Sequence, residues 1–304
     1  MQKPKVIVIG GPTASGKTAL SIELAKKING EIISADSMQI YKEMDIGTAK
    51  PDEEEKQGIK HYMMDFVKPD ERYSVADYKK AAKEAIREIL NKGKTPIVVG
   101  GTGLYIDSLI YEIEFLELET DLKYRNELEE IVKKEGLDKL YEKAKKIDEN
   151  AMEKISPNDK KRILRVLEIY NQTGKTKTEL DLESRKEPEY DYKMFALQMD
   201  RSLLYDRINK RVDIMIQKGL IEEVENVYKK YKEFPTAMQA LGYKEVVEYL
   251  EKKVTKEEMI DKIKQESRRY AKRQLTWFRK NKDTIWLNVE DGIECNINRI
   301  LEEI

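Results

Sequence analysis

The first 110 residues alternate between short apolar runs and longer segments in which apolar side chains recur every three or four positions. Val6-Ile7-Val8-Ile9 is β-branched throughout, and Ala19 to Ala25 has helical spacing, so the pattern predicts strand, turn and helix. Glu31 to Ser34 reads as a second strand, His61 to Phe66 as a third and Thr95 to Val99 as a fourth. Between the last two, Ser74 and Asp77 stand in capping-box register ahead of a helix that reaches about Asn91. The glycine turn Gly100-Gly101-Thr102-Gly103 leads into an apolar helix from Leu104 to about Tyr111. Strands separated by helices of this length need crossover connections, which predicts an α/β fold with a mostly parallel sheet core flanked by helices.

From about Phe115 the pattern changes. Through about Pro188 it is charged and helical with almost no β-rich run, broken at Glu135-Gly136, Ser156-Pro157-Asn158-Asp159 and Thr173-Gly174. The expectation is an all-helical subdomain, residues 116–189, inserted into a core formed by 1–115 and 190–304. Asn158 or Asp159 caps a helix with the apolar stripe Ile163, Val166, Leu167 and Tyr170, and Lys161, Arg162 and Arg165 occupy its other side. Those three are a solvated face or contacts for a phosphate backbone. Lys193 to Met199 returns as a strand, a helix from about Ser202 to Lys218 ends at Gly219, and Thr284 to Val289 is the last predicted strand.

Composition narrows the class. A chain of 304 residues with 40% hydrophobic content can bury a sizeable core, and Lys+Arg 57 against Asp+Glu 58 gives no global attraction for nucleic acid. One cysteine, Cys295, leaves no internal disulfide or cysteine-based zinc site, and His61 is the single histidine. The run Val6–Ile9 is too short for a signal-peptide core and no stretch approaches a membrane span, so a cytoplasmic setting is expected. Charge is nevertheless segregated. Lys262 to Lys282 holds nine basic residues against Glu266, with Tyr270, Trp277 and Phe278 among them, a mixture suited to an RNA backbone and unstacked bases or to the packed side of an amphipathic helix.

The candidate chemistry begins where the first strand ends. Gly11-Pro12-Thr13-Ala14-Ser15-Gly16-Lys17-Thr18 is a phosphate loop in its required context, between a buried strand and a helix. Its glycines let backbone N–H groups converge on phosphate oxygens, the helix N-terminus adds positive potential, Lys17 brings a movable charge and Thr18 a hydroxyl for Mg²⁺. The core is therefore of P-loop NTPase type, and a diphosphate or triphosphate binds there. Asp36, just past the second strand, lies on the same rim of the sheet as a catalytic carboxylate or a helix cap. Asp65 is a Walker B acid or an ordinary strand-end residue. Arg207 and Arg211, four apart on one helix face, clamp a diphosphate or pair with surface acids. The loop Tyr41–Pro51 covers or shapes the site.

Several segments together resemble the bacterial tRNA dimethylallyltransferases, or tRNA isopentenyltransferases: Gly11–Thr18, ISADSMQIY (33–41), MDIGTAKP (44–51), GGTGLY (100–105), QALGYKE (239–245) and AKRQLTWF (271–278). The resemblance spans nearly the whole chain. It implies transfer of a dimethylallyl group from dimethylallyl diphosphate to the exocyclic amine of the adenosine 3′-adjacent to the tRNA anticodon, with a loop that holds diphosphate and hydrolyses no ATP. It implies that residues 11–18 cradle the diphosphate with Thr18 near Mg²⁺, that Asp36 is the general base, and that Arg211 supports the leaving group. It further implies tRNA contacts at Asp36, Ser37, Met38, Gln39, Thr102, Arg125, Lys161, Arg162, Ile163, Leu164 and Arg165, and the basic segment adds Arg269 and Arg273. Position 161 is Lys where bacterial relatives can carry Gln. The alternatives are a P-loop kinase of a nucleotide or small metabolite, an adenylate isopentenyltransferase acting on free nucleotides, and a non-catalytic nucleotide-gated RNA-binding module. No membrane and no obligate protein partner is expected.

Overall fold

The computed structural model describes residues 3–115 and 121–304. Its strands are β1 Lys5–Gly10, β2 Gly30–Ser34, β3 His61–Tyr62, β4 Thr95–Val99, β5 Asp191–Gln198 and β6 Ile285–Asn288. They form one six-stranded sheet in the order β3-β2-β4-β1-β5-β6, every pairing parallel.

Period-two alternation divides the core into two layers. Ile7 and Ile9 of β1, with Ile32 and Ile97, face the helix Lys17–Lys27, whereas Val6 and Val8, with Ile33 and Val98, face the helices Val75–Asn91 and Gly103–Ile110. β1 and β4 are neighbours, with Ile7 opposite Ile97 and Ile9 opposite Val99, yet the helices that follow them leave to opposite faces. That divergence opens a crevice at the carboxyl ends of the strands, where open α/β sheets hold their ligands.

The chain divides into two compact units, Met1–Ile110 with Pro188–Ile304, and Tyr111–Glu187. The sequence boundary at 116 falls on residues 116–120, outside the described residues. In the second unit the helices Leu122–Glu135, Leu137–Ile147 and Lys160–Thr173 pack around Leu128, Leu140, Ile163, Leu164, Val166 and Leu167. Asp159 is the cap of the last of these, accepting from the Arg162 N–H at 3.1 Å, and Tyr170 is exposed rather than part of the buried stripe.

Two readings need correction. The third strand stops at Tyr62, because Met63 and Asp65 take left-handed backbone conformations, with φ of 63° and 61°, and turn the chain out of the sheet. Phe66 and Val67 instead donate to the Ile40 carbonyl. Asp65 is consequently exposed and ion-paired with Lys50 at 2.9 Å, so it does not occupy a Walker B position. The loop Tyr41–Pro51 borders the site cavity from Asp45 on, while Tyr41 itself lies in the core. Tyr41 is 1% exposed in a third apolar cluster with Met44, Leu220, Tyr243 and Ile263.

The basic segment lies on the long helix Lys256–Phe278 and the residues just after it. Phe278 is buried against Gly10, where an added Cβ would come within 2.4 Å of its ring, and Trp277 lies equally close over Gly103. Both aromatics therefore pack inward. A further helix, Ile293–Glu302, unforeseen in the sequence, adds Ile297 and Ile300 to the Ile7 face. Among the described residues no helix is long and apolar enough to cross a membrane.

Candidate active site

The site is built where β1, β2 and β4 end. After Gly10 the loop folds back so that the Ser15 N–H reaches the Pro12 carbonyl at 3.4 Å. Gly16, with φ of 91°, takes the left-handed turn that starts the helix at Lys17. No side chain caps that helix, so its first N–H groups and positive pole face the crevice. The Ser15 hydroxyl is buried in the loop without a partner, while Thr18 is exposed on the first helical turn.

Lys17 curls back over the loop and donates to the carbonyls of Gly11 and Pro12 at 3.0 and 2.7 Å. Burial, then the charge of Arg211, lowers its pKa to about 7, against an opposing pull from Asp36. Arg211 reaches the same place from the helix Arg201–Gln217, and burial shifts its pKa down as well, while Asp36 and Glu55 draw it up. Two basic side chains thus share a poorly solvated space with two carboxylates, Asp36 and Glu55, at the same cavity.

Asp36 sits directly beyond β2 on a turn clamped to the end of β4. The Thr102 N–H donates to the Ala35 carbonyl at 3.0 Å, and the Thr102 hydroxyl accepts from the Ser37 N–H at 3.0 Å. One carboxylate oxygen of Asp36 accepts from the Met38 N–H at 2.9 Å. The Gln39 amide is spent within the protein: it bonds to the Ser34 hydroxyl at 3.0 Å and donates to the Thr48 and Ala49 carbonyls. Gln39 therefore shapes this turn, although its side chain also borders the cavity.

Thr13 to Thr18, Asp36 to Gln39, Arg207, Arg211 and Arg273 all border one cavity of about 940 Å³. Gly11 and Pro12 contribute the carbonyls that hold Lys17. Thr102 stands behind Ser37. Among the predicted tRNA residues, Arg273 is exposed with its guanidinium 5.6 Å from the Tyr270 ring, and Arg269 is exposed and paired with Glu266 at 2.6 Å.

In the second unit, Arg125 and Arg165 lie beside the buried carboxylate of Glu168, at 3.2 and 3.8 Å. Lys161 and Arg162 are exposed, and Arg162 lies 3.4 Å from Asp159. Ile163 and Leu164 are buried in that unit's core, so their side chains hold the helix in place and are not presented to a ligand.

Sequence reasoning missed Gln274 as a site residue, and it offered Tyr270 only as an RNA-facing or packed aromatic, not as part of this cavity. Gln274 is 5% exposed; its oxygen accepts from the Thr13 N–H at 2.8 Å and its nitrogen donates to the Gly101 carbonyl at 3.1 Å, tying the phosphate loop to the second glycine turn. Gly101 is glycine because a Cβ there would lie 2.0 Å from that nitrogen. Tyr270, one helical turn earlier, borders the same cavity, and burial and the Asp36 charge push its pKa up, keeping it a neutral hydroxyl. The signal was present in part, since Tyr270, Gln274 and Phe278 recur every four residues through a basic helix.

The family model for IPP transferase matches residues 39–281. The tRNA dimethylallyltransferase of Acetivibrio thermocellus is 54% identical over 94% of this chain and 92% of its own, and that of Bacillus anthracis is 48% identical over 96% and 93%. Among solved structures, the tRNA isopentenylpyrophosphate transferase of Bacillus halodurans superposes with a TM-score of 0.74 at 43% identity, covering 99% of this chain and 96% of that one. A eukaryotic dimethylallyltransferase acting on tRNA gives 0.79 at 35% identity, over 94% and 74%. On identity and coverage of this extent, the chain belongs to the IPP transferase family.

Proposed function

We infer that this protein transfers a dimethylallyl group from dimethylallyl diphosphate to the exocyclic N6 amine of the adenosine 3′-adjacent to the tRNA anticodon and releases diphosphate. The observation that carries this reading is the meeting at one cavity of Lys17 from the phosphate loop, Arg211 from the helix Arg201–Gln217 and Asp36, with both cationic forms disfavoured by burial and that of Lys17 also by its neighbour's charge. A bound diphosphate relieves the repulsion, and the charge it gains on leaving is stabilised where it develops.

An allylic diphosphate ionises readily, so the loop N–H groups, Lys17 and Arg211 need mainly to take up the departing charge. The carbon–oxygen bond to diphosphate breaks, the amine nitrogen bonds to the allylic carbon, and the amine proton passes to Asp36. Stacked in the anticodon loop, that amine is poorly placed, and we expect the adenosine to leave the stack. Arg125, Lys161, Arg162, Arg165, Arg269 and Arg273 are assigned to the tRNA anticodon stem-loop.

The donor set fits Mg²⁺ carried chiefly by the substrate. Among the described residues no three His, Cys, Asp or Glu side chains cluster to hold a metal, and the exposed Thr18 hydroxyl offers one hard oxygen at the head of the loop. Bound there, the ion would supply positive charge to the diphosphate oxygens. With tRNA as substrate, we place the protein in the cytoplasm.

The test is incubation with tRNA and labelled dimethylallyl diphosphate, followed by nucleoside analysis, and in parallel with labelled ATP and nucleotide acceptors. Label recovered as N6-dimethylallyladenosine supports the reading; phosphoryl transfer without prenylation would replace it with a kinase.

A further inference from the structure

The loop Asp45–Asp52 carries no role in the chemistry above, yet it borders the cavity. Three consecutive backbone N–H groups, of Asp45, Ile46 and Gly47, donate to the single carboxylate of Glu223 at 2.8, 2.7 and 3.0 Å, and the Tyr243 hydroxyl donates to the same group. Successive amides that converge in this way make an anion-binding concavity, and here the protein's own carboxylate fills it. The rest of the loop is held as firmly. Gln39 donates to the Thr48 and Ala49 carbonyls, and Lys50 donates to the Tyr41 carbonyl and pairs with Asp45 and Asp65. Gly47 packs directly on Tyr243, since a Cβ there would lie 2.3 Å from the Tyr243 ring.

What this arrangement fixes is Ile46, which joins Met215, Leu241 and Ile263 in the apolar lining of the cavity that also holds Arg211. A hydrocarbon group whose diphosphate rests on Lys17 and Arg211 has to lie against apolar wall, and the position of that wall limits its length. We propose that Glu223 is a positioning residue for donor selection: its carboxylate sets the loop Asp45–Lys50, and with it Ile46, as the wall that restricts the donor to a five-carbon allylic group. The proposal rests on the cavity being the allylic diphosphate site. An amide in place of the carboxylate keeps one acceptor oxygen, so at least one of the three N–H groups loses its acceptor and the loop is free to yield to a longer chain.

The experiment uses the full chain with tRNA and measures kcat/KM for dimethylallyl and geranyl diphosphate in competition. The ratio of the two does not depend on how much of a variant is folded, so a purely structural role would not move it. Glu223→Gln should reduce the preference for the five-carbon donor by about tenfold, the scale on which a pocket wall discriminates, leave tRNA affinity unchanged, and be partly reversed in Glu223→Asp. Ile46→Ala should shift the ratio in the same direction. A ratio within about twofold of wild type in Glu223→Gln would overturn the proposal. If that variant does not fold, an unchanged ratio in Ile46→Ala overturns it instead. Wild-type protein that transfers neither group would overturn the reading of the reaction and this proposal with it.

Discussion

In the proposed reaction Lys17 and Asp36 act through charge, and each gives a distinct signature. With a pKa of about 7, Lys17 is roughly half protonated at neutral pH. An anion bound against it favours the ammonium, so the pKa rises in the complex and binding takes up a proton. Affinity for dimethylallyl diphosphate should therefore fall as pH rises above 7, by up to about tenfold per unit, until the pKa of the complex is reached. The ligand does not cause that fall, because its last proton is lost near pH 6, about as for other phosphate groups. Calorimetry from pH 7 to 9 in buffers of different ionisation enthalpy should show the uptake, and Lys17→Arg, charged throughout, should abolish it. A pH-independent affinity in wild type would mean that Lys17 does not meet the diphosphate. For Asp36, asparagine keeps the acceptor that holds the Met38 N–H and removes the base. Asp36→Asn should lose about 10²–10⁴-fold in kcat with tRNA affinity retained, and a normal single-turnover rate would take Asp36 out of proton transfer.

At the scale of elements, the site is a junction of three strand ends and three helices, Lys17–Lys27, Arg201–Gln217 and Lys256–Phe278. β1, β2 and β4 were legible because each pairs an apolar run with a turn of recognisable chemistry. The helix Lys256–Phe278 was legible only as a basic amphipathic segment. That its Gln274 reaches two glycine turns 261 and 173 residues away is a tertiary fact that no local spacing records. The short β3 was misjudged for a related reason: His61 to Phe66 has strand composition, but left-handed backbone at Met63 and Asp65 serves the neighbouring loop. Glu223 was invisible, since an acid on a charged helix says nothing of the three amides it meets. The Gln274 bridge makes a checkable claim. Gln274→Leu leaves the Thr13 N–H and the buried Gly101 carbonyl without partners, which should cost about 1–3 kcal/mol in denaturant unfolding and raise KM for dimethylallyl diphosphate more than KM for tRNA. Unchanged stability would show that water replaces the amide.

For the molecule as a whole, a formal charge of −1 means that no long-range field draws a polyanion to the surface, so tRNA has to be held by local contacts. The candidate arginines are divided between the two compact units, Arg162 and Arg165 in one and Arg269 and Arg273 in the other. Sequence pattern showed that these side chains cluster; it did not show that several are already engaged by Asp159, Glu168 and Glu266. The Arg162–Asp159 and Arg269–Glu266 pairs lie at the surface and contribute little, so a phosphate can displace the acid at small cost, whereas the buried Glu168 keeps Arg125 beside it when Arg165 turns to a phosphate. Binding by both units then has a thermodynamic signature. Removing one arginine from a backbone phosphate should reduce the slope of log K against log salt by about 0.7–0.9. Arg165→Ala and Arg273→Ala should each lower it by about that amount, and the double variant, spanning both units, by about twice as much. If the double variant matches one single variant and the other leaves the slope at the wild-type value, one unit alone grips the RNA backbone, and the arginine of the silent unit is a solvated surface charge.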